Sequence, residues 1–295
     1  MAVLVHADST ILVHGIGDPL ARFQCDEMVR HGTHLVGIVA AERRELAGWS
    51  FGPTPVFPTV AEAVRATRAE VSMIFSPPFA VKAEVEHTIA AGVRTIIGLT
   101  EHVPVLDALV LRHRASRAGV TWIGPNSSGV LSPGRAKAGF FVEDICVPGR
   151  VGVITKSGSL AYAVMAEMRS AGIGVSTVVA IGGDAVRGTD SRDVLTLFQG
   201  DPDTYAVVLL GEIGGQDEED AAAFVAEARF AKPVVAFIAG RSVPPGQSMG
   251  HAGAIARRGR GDYESKRRAL DAAGIRVAET IGAIPGLLTQ AIGRP

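Results

Sequence analysis

Short apolar runs alternate with longer stretches of helical period along almost the whole chain. Ile11–His14, Leu35–Val39, Val71–Phe75, Thr95–Leu99 and Thr121–Ile123 read as buried strands. Between them, Ala21–His31, Val60–Arg68, Val81–Ala91 and Val105–Ala118 place apolar residues three and four positions apart, the spacing of one helix face. That alternation predicts a parallel sheet with helices on both faces. It pauses over Gly124–Arg150, a stretch rich in Gly, Pro and Ser with no clear helix, and then restarts. Val151–Thr155, Gly174–Ala180, Ala206–Leu210, Pro233–Ile238 and Ile275–Ala278 form a second set of strands. Leu160–Ser170, Arg192–Phe198, Glu218–Arg229, Tyr263–Ala273 and Ile281–Ile292 are the helices that go with them. The pattern predicts an α/β chain of two doubly wound domains, residues 1–125 and 151–295, joined by a linker over 126–150.

A length of 295 residues agrees with two domains. Lys and Arg total 29 against 30 Asp and Glu, so the chain lacks the cationic field that nucleic acid or an acidic membrane surface requires. The longest apolar runs, such as Tyr205–Leu210 and Val234–Ala239, are far too short to span a bilayer. The N-terminus lacks the pattern of a signal peptide, and a cytoplasmic location is expected. Cys25 and Cys146 are too few for a disulfide framework or a cysteine metal site. Both are expected to be structural, and no metal site is expected.

In doubly wound folds, ligands sit at the carboxyl ends of the strands, and Gly clusters there repeatedly in this chain. Gly15-Ile-Gly17 follows the first strand where a dinucleotide fingerprint would stand, but its third glycine is missing, because positions 20 and 21 are Leu and Ala. Glu42 could mimic a ribose-binding acid, although its spacing is long. An ordinary β–α turn or another nucleotide fits this loop better than NAD. Thr155-Lys-Ser-Gly-Ser159 lies between a strand and a helix. Ser157, Gly158 and Ser159 there offer backbone N–H groups to a phosphate, or serve as a plain N-cap. Gly246-Gln-Ser-Met-Gly250 has the spacing of a serine-hydrolase elbow, but Val243-Pro-Pro-Gly246 breaks the strand that motif needs, and no distant His follows Ser248.

His251 lies beyond all seven other histidines, which end at His113. It sits in Met249-Gly-His-Ala-Gly-Ala-Ile255, a Gly-rich loop that lets a side chain swing and lets backbone approach an anion. Glu212, in Gly211-Glu-Ile-Gly-Gly215, follows the preceding strand. A carboxylate there can accept one ring N–H and leave the other nitrogen nucleophilic. The pair reads as catalytic or as a satisfied structural contact. Metal binding fits less well, since no second His and no suitable Cys lie nearby.

These motifs together resemble the α subunit of succinyl-CoA synthetase (succinate–CoA ligase) along nearly the whole chain. The matching stretches are Phe57-Pro-Thr-Val-Ala-Glu-Ala-Val64, Ile123-Gly-Pro-Asn126, Gly152-Val-Ile-Thr-Lys-Ser-Gly-Ser-Leu160, Ile181-Gly-Gly-Asp184, Gly211-Glu-Ile-Gly-Gly215, Lys232-Pro-Val-Val235 and the His251 loop. ATP-citrate lyase, citryl-CoA synthetase and malate–CoA ligase share the same logic. The resemblance implies an N-terminal Rossmann-like CoA-binding domain and a C-terminal flavodoxin-like ligase domain. It implies that CoA meets Gly15, Gly17, Pro77, Pro78, Asn126 and Ser127. It further implies a partner β subunit of ATP-grasp fold, in an αβ or α2β2 assembly, that binds ATP or GTP with Mg. His251 would then be phosphorylated, oriented by Glu212, with Ser157, Gly158 and Ser159 holding the phosphate. A small carboxylic acid would take the phosphoryl group and give an acyl phosphate for the CoA thiol.

Several positions depart from the family pattern. The first loop reads Gly15-Ile-Gly-Asp-Pro-Leu-Ala21, with Asp18 adding negative charge and Pro19 removing an N–H donor where CoA phosphates are expected. The usual Asn-Cys-Pro-Gly reads Asn126-Ser-Ser-Gly129, the usual Thr-Tyr-Glu reads Ala161-Tyr-Ala163, and the usual Thr-Asn-Phe-x-Asp reads Thr189-Asp-Ser-Arg-Asp193. The departures surround the acceptor and spare the histidine, which suggests an acid other than succinate. Two other readings stay open: a phosphohistidine ligase with a non-CoA acceptor, and a non-catalytic protein that senses CoA or nucleotide.

Overall fold

The computed structural model describes residues 2–41, 52–244, 250–255 and 261–292. Glu42 and Ser248 lie outside the described residues. The first sheet contains β1 (Thr10–His14), β2 (His34–Val39), β3 (Val56–Phe57), β4 (Val71–Ile74), β5 (Thr95–Gly98) and β6 (Thr121–Ile123). All six are parallel, in the order β3-β2-β1-β4-β5-β6, the doubly wound order of dinucleotide-binding folds. The helices α1 (Pro19–Arg30), α2 (Val60–Thr67), α3 (Val81–Ala90) and α4 (Val105–Ala118) connect them. Strands β4 and β5 are buried at every position, which is why they read as mainly apolar runs, with Ser72 and Thr95 the polar exceptions. Local chemistry sets the helix ends. Thr59 caps α2 by accepting the Glu62 N–H, and Gly119, at φ 67°, closes α4 in a left-handed conformation.

The second sheet runs β13-β12-β11-β9-β10-β7-β8. Its parallel part is β9 (Pro148–Thr155), β10 (Val175–Ala180), β11 (Ala206–Glu212), β12 (Val234–Ala239) and β13 (Arg276–Val277). Counted within this part, the order is 2-1-3-4-5, the flavodoxin-like winding. Helices α5 (Gly158–Ser170), α6 (Ser191–Gly200), α7 (Asp217–Glu227), α8 (Tyr263–Ala272) and α9 (Ile284–Ile292) flank it. The helix expected over Ile281–Ile292 opens as a 3-10 turn at Ile281–Ala283 before α9 begins.

The stretch 126–150 is more than a linker. It supplies β7 (Gly129–Ser132) and β8 (Ala136–Gly139), an antiparallel pair that extends the second sheet past β10. This pair packs on α1 of the first sheet. Thr33 Oγ1 donates to the Lys137 carbonyl at 2.9 Å, and the buried Lys137 ammonium reaches Gln24 Oε1 at 3.3 Å. One apolar cluster consequently runs from Ile11, Cys25 and Met28 through Val130 and Ala138 to Ile154 and Leu209. Cys25 and Cys146 are free, buried thiols; burial pushes Cys146 up to about 12 and Cys25 higher still. Among the described residues, no helix is long and apolar enough to cross a membrane.

Candidate functional site

Both sheets present a cavity where the winding reverses, outside the carboxyl ends of their strands. In the first sheet the reversal lies between β1 and β4. A cavity of about 960 Å³ opens there, and Gly15, Gly17, Pro77, Pro78, Asn126 and Ser127 all line it. Gly15 holds φ at 76°, and a Cβ on it would sit 2.3 Å from the Ser76 nitrogen, so only glycine lets the two strand ends converge. Asp18 caps α1 by accepting the Leu20 N–H at 2.8 Å, and Pro19 follows without an N–H. The helix end that would face a diphosphate therefore carries its own carboxylate. Deeper in, Ser76 Oγ donates to Glu84 Oε1 at 2.7 Å, while His14 is held neutral by burial, with its pKa lowered to about 4.

The far wall of this cavity joins the second sheet. Ser127 Oγ donates to the Ala180 carbonyl at 2.5 Å and accepts the Gly129 N–H at 2.8 Å, so its hydroxyl is already engaged by backbone. Asn126 Nδ2 donates to Asp184 Oδ1 at 3.1 Å, and the Gly183 N–H donates to the Asn126 carbonyl at 3.0 Å. Burial raises the Asp184 carboxyl above the usual range, and the Asn126 bond works against it.

In the second sheet the reversal lies between β9 and β11. Lys156, Ser157, Ser159, Glu212, Gly250 and His251 line a cavity of about 550 Å³ there. Helix α5 begins two residues earlier than periodicity suggests, at Gly158, which makes Ser157 its N-cap. Ser157 Oγ lies 3.2 Å from Ser159 Oγ, so both hydroxyls gather at the helix N-terminus. Glu212 is the last residue of β11 and is buried. Its Oε2 and Oε1 lie 2.8 and 3.0 Å from His251 Nδ1. The carboxylate contacts are made through Nδ1, the ring nitrogen nearer the backbone. The Glu212 hydrogen bond raises the His251 pKa; burial opposes it, the Glu212 charge adds to it, Lys156 opposes it and Asp184 adds to it.

Three features of this site escape sequence reading. The imidazole lies against Gly183, where a Cβ would be 2.8 Å from the ring. Asp184 bonds Asn126 of the first cavity and acts electrostatically on His251 of the second. Beneath the second cavity lies a set of charges, the buried Lys156, Lys266, Asp217 and Glu218 with the half-buried Arg187 and Glu219. Gly183 and Asp184 stood within a recognised motif without a role, and the charge set had no local signal.

The family model described as CoA binding domain matches residues 6–102, and the one described as CoA-ligase matches 154–276. Subunit alpha 2 of the ADP-forming succinate–CoA ligase of Archaeoglobus fulgidus is 44% identical, covering 95% of this chain and 96% of its own. The chain belongs to the α subunits of the ADP-forming acid–CoA ligases. The family spans more than one acid: the malate–CoA ligase subunit alpha of Methylorubrum extorquens is 38% identical over 100% of this chain and 99% of its own. An ATP citrate lyase from Methanothrix soehngenii, solved with citrate and coenzyme A, shares the fold at a TM-score of 0.85 and 24% identity. It aligns to 99% of this chain, which spans about half (52%) of that longer one.

Proposed function

We propose that this α subunit carries a phosphoryl group on His251 between a nucleoside triphosphate and a carboxylic acid, and presents CoA to the resulting acyl phosphate. The contact between Glu212 and His251 Nδ1 at the mouth of a cavity closed by the α5 N-terminus is the observation that carries the reading. Nε2 attacks the γ-phosphorus, forming an N–P bond as the bond to the diphosphate leaving group breaks. Glu212 stabilises the positive ring. The N–H groups of Gly158 and Ser159, with both serine hydroxyls, face the phosphoryl oxygens at the positive end of α5. A substrate carboxylate then takes the phosphoryl group from Nε2, and the CoA thiol displaces phosphate from the acyl carbon.

The nucleotide, ATP or GTP with Mg, enters this reading on an ATP-grasp β subunit, in an αβ or α2β2 assembly, as membership of a family of α subunits implies. Gly15, Gly17, Pro77, Pro78, Asn126 and Ser127 line the cavity assigned to CoA. The acid is proposed to differ from succinate, given Ser127, Ser128, Ala163 and Asp190 at positions where the family pattern differs. The same reading places the enzyme in the cytoplasm, with Cys25 and Cys146 as buried thiols.

The test is labelling of the α/β complex with γ-³²P nucleotide. Label on the wild type, absent from His251→Asn, is the expected result; an unlabelled wild type refutes the phosphohistidine. Calorimetric titration with CoA, and with NAD as control, tests the first cavity. Asp18 at its rim favours one competing reading, a phosphohistidine ligase with a non-CoA acceptor, which thiol-dependent turnover would eliminate. Succinate turned over faster than every other diacid would overturn the proposed change of acid.

A further inference from the structure

The buried charges under the second cavity have a pattern that a purely structural network does not need. Lys156 is the only lysine or arginine among the described residues lining the cavity of His251, Ser157 and Ser159. Its side chain is 5% exposed, and its ammonium lies 2.6 Å from Glu218 Oε1 and 3.6 Å from Asp217 Oδ2. Glu218 is fully buried. The same Oε1 accepts the Glu212 N–H at 3.2 Å, while Oε2 pairs with Lys266. One carboxylate thus holds both Lys156 and the residue that holds His251. Strand β11 makes room for it: a Cβ on Gly211 would sit 2.5 Å from Glu218 Oε1.

Lys156, Lys266 and Arg187 balance Asp217, Glu218 and Glu219, so the set is neutral by itself. Among the described residues, the other ionisable groups bearing on His251 are the carboxyl groups of Glu212, from β11, and Asp184, from the turn after β10. A phosphoryl dianion on Nε2 therefore arrives beside two carboxylates. The α5 N-terminus offsets part of that repulsion, roughly half an elementary charge. We infer that Lys156 is the cation that stabilises phosphorylated His251, and that Glu218 is the residue that positions it.

This inference rests on the phosphohistidine reading and is tested so that the two can fail separately. Histidine-selective NMR on the α/β complex, without nucleotide, reads the midpoint of His251, assigned with His251→Asn. Lys156→Met removes a neighbouring positive charge and raises that midpoint by about 1 pH unit. Glu218→Gln, which takes one of the two negative charges from beside Lys156 and leaves Asp217, lowers it. At a fixed ratio of nucleoside triphosphate to diphosphate, Lys156→Met also cuts the phosphorylated fraction about tenfold, while Lys156→Arg keeps it within about twofold. The double variant Lys156→Met/Glu218→Gln keeps the buried set neutral, which protects folding, and shows the same tenfold loss. A double variant phosphorylated like the wild type overturns the inference, as does a midpoint that stays or falls in Lys156→Met. A wild type that takes no label refutes the phosphohistidine itself, whatever the midpoints do.

Discussion

Gly183→Ala offers a clean perturbation of the histidine, because one methyl group meets the ring and little else. The added Cβ would lie 2.8 Å from His251 Cδ2 and 2.9 Å from Cγ and Nε2, whereas ordinary van der Waals contact begins at 3.4 Å. The ring must therefore retreat by about 0.6 Å to restore an ordinary contact distance. Retreat disturbs the Nδ1 contact with Glu212, whose nearer oxygen is at 2.8 Å, and displaces Nε2 with it. Displacements of this order in a phosphoryl acceptor cost on the order of 10²-fold in rate. The backbone at Gly183 has no positive φ, so Ala introduces no backbone strain there. The expected result is a phosphorylation rate of the α/β complex down about 10²-fold, with CoA affinity and Tm close to wild type. Labelling at the wild-type rate with a normal Tm would refute the placement of the imidazole against Gly183.

Two further outcomes test the surroundings. Asp217 should make folding sensitive to acid: burial works to raise its pKa, but Lys156, Arg187 and two Ser191 hydrogen bonds prevail and hold it at about 2, below its ordinary 3.8. A depressed carboxylate contributes stability above its unfolded pKa and loses it as pH falls through the folded one, here between about pH 4 and 2. The contribution is about 2 kcal/mol. Asp217→Asn is expected to lose that amount in urea melts at pH 7, and its gap to the wild type should close towards pH 2; a gap independent of pH would contradict the assignment. Gly15→Ala should abolish CoA binding in calorimetry and lower Tm by several degrees, because its Cβ would meet backbone at the β1–β4 reversal. CoA affinity unchanged in a folded Gly15→Ala chain would remove this cavity from the mechanism.

Local patterns in the sequence carried much of this protein. Helix α4 occupies Val105–Ala118, the range its apolar spacing predicts, and the parallel strands stand out because burial on both faces makes them mainly apolar. Glu212 and His251, 39 residues apart, were paired through their motifs, which the structure brings to 2.8 Å. Strands β7 and β8 were missed for a physical reason. They are four residues each, contain Gly and the charged Lys137, and are recognised as strands only when β10 and α1 supply their partners. The same holds for Lys156, Glu218 and Lys266, drawn from the turn after β9, from α7 and from α8. Nothing near each residue in the chain says that its charge is buried. That depends on the winding of the second sheet, which brings three separate helix and strand ends to one point and leaves each charge to be balanced by the others.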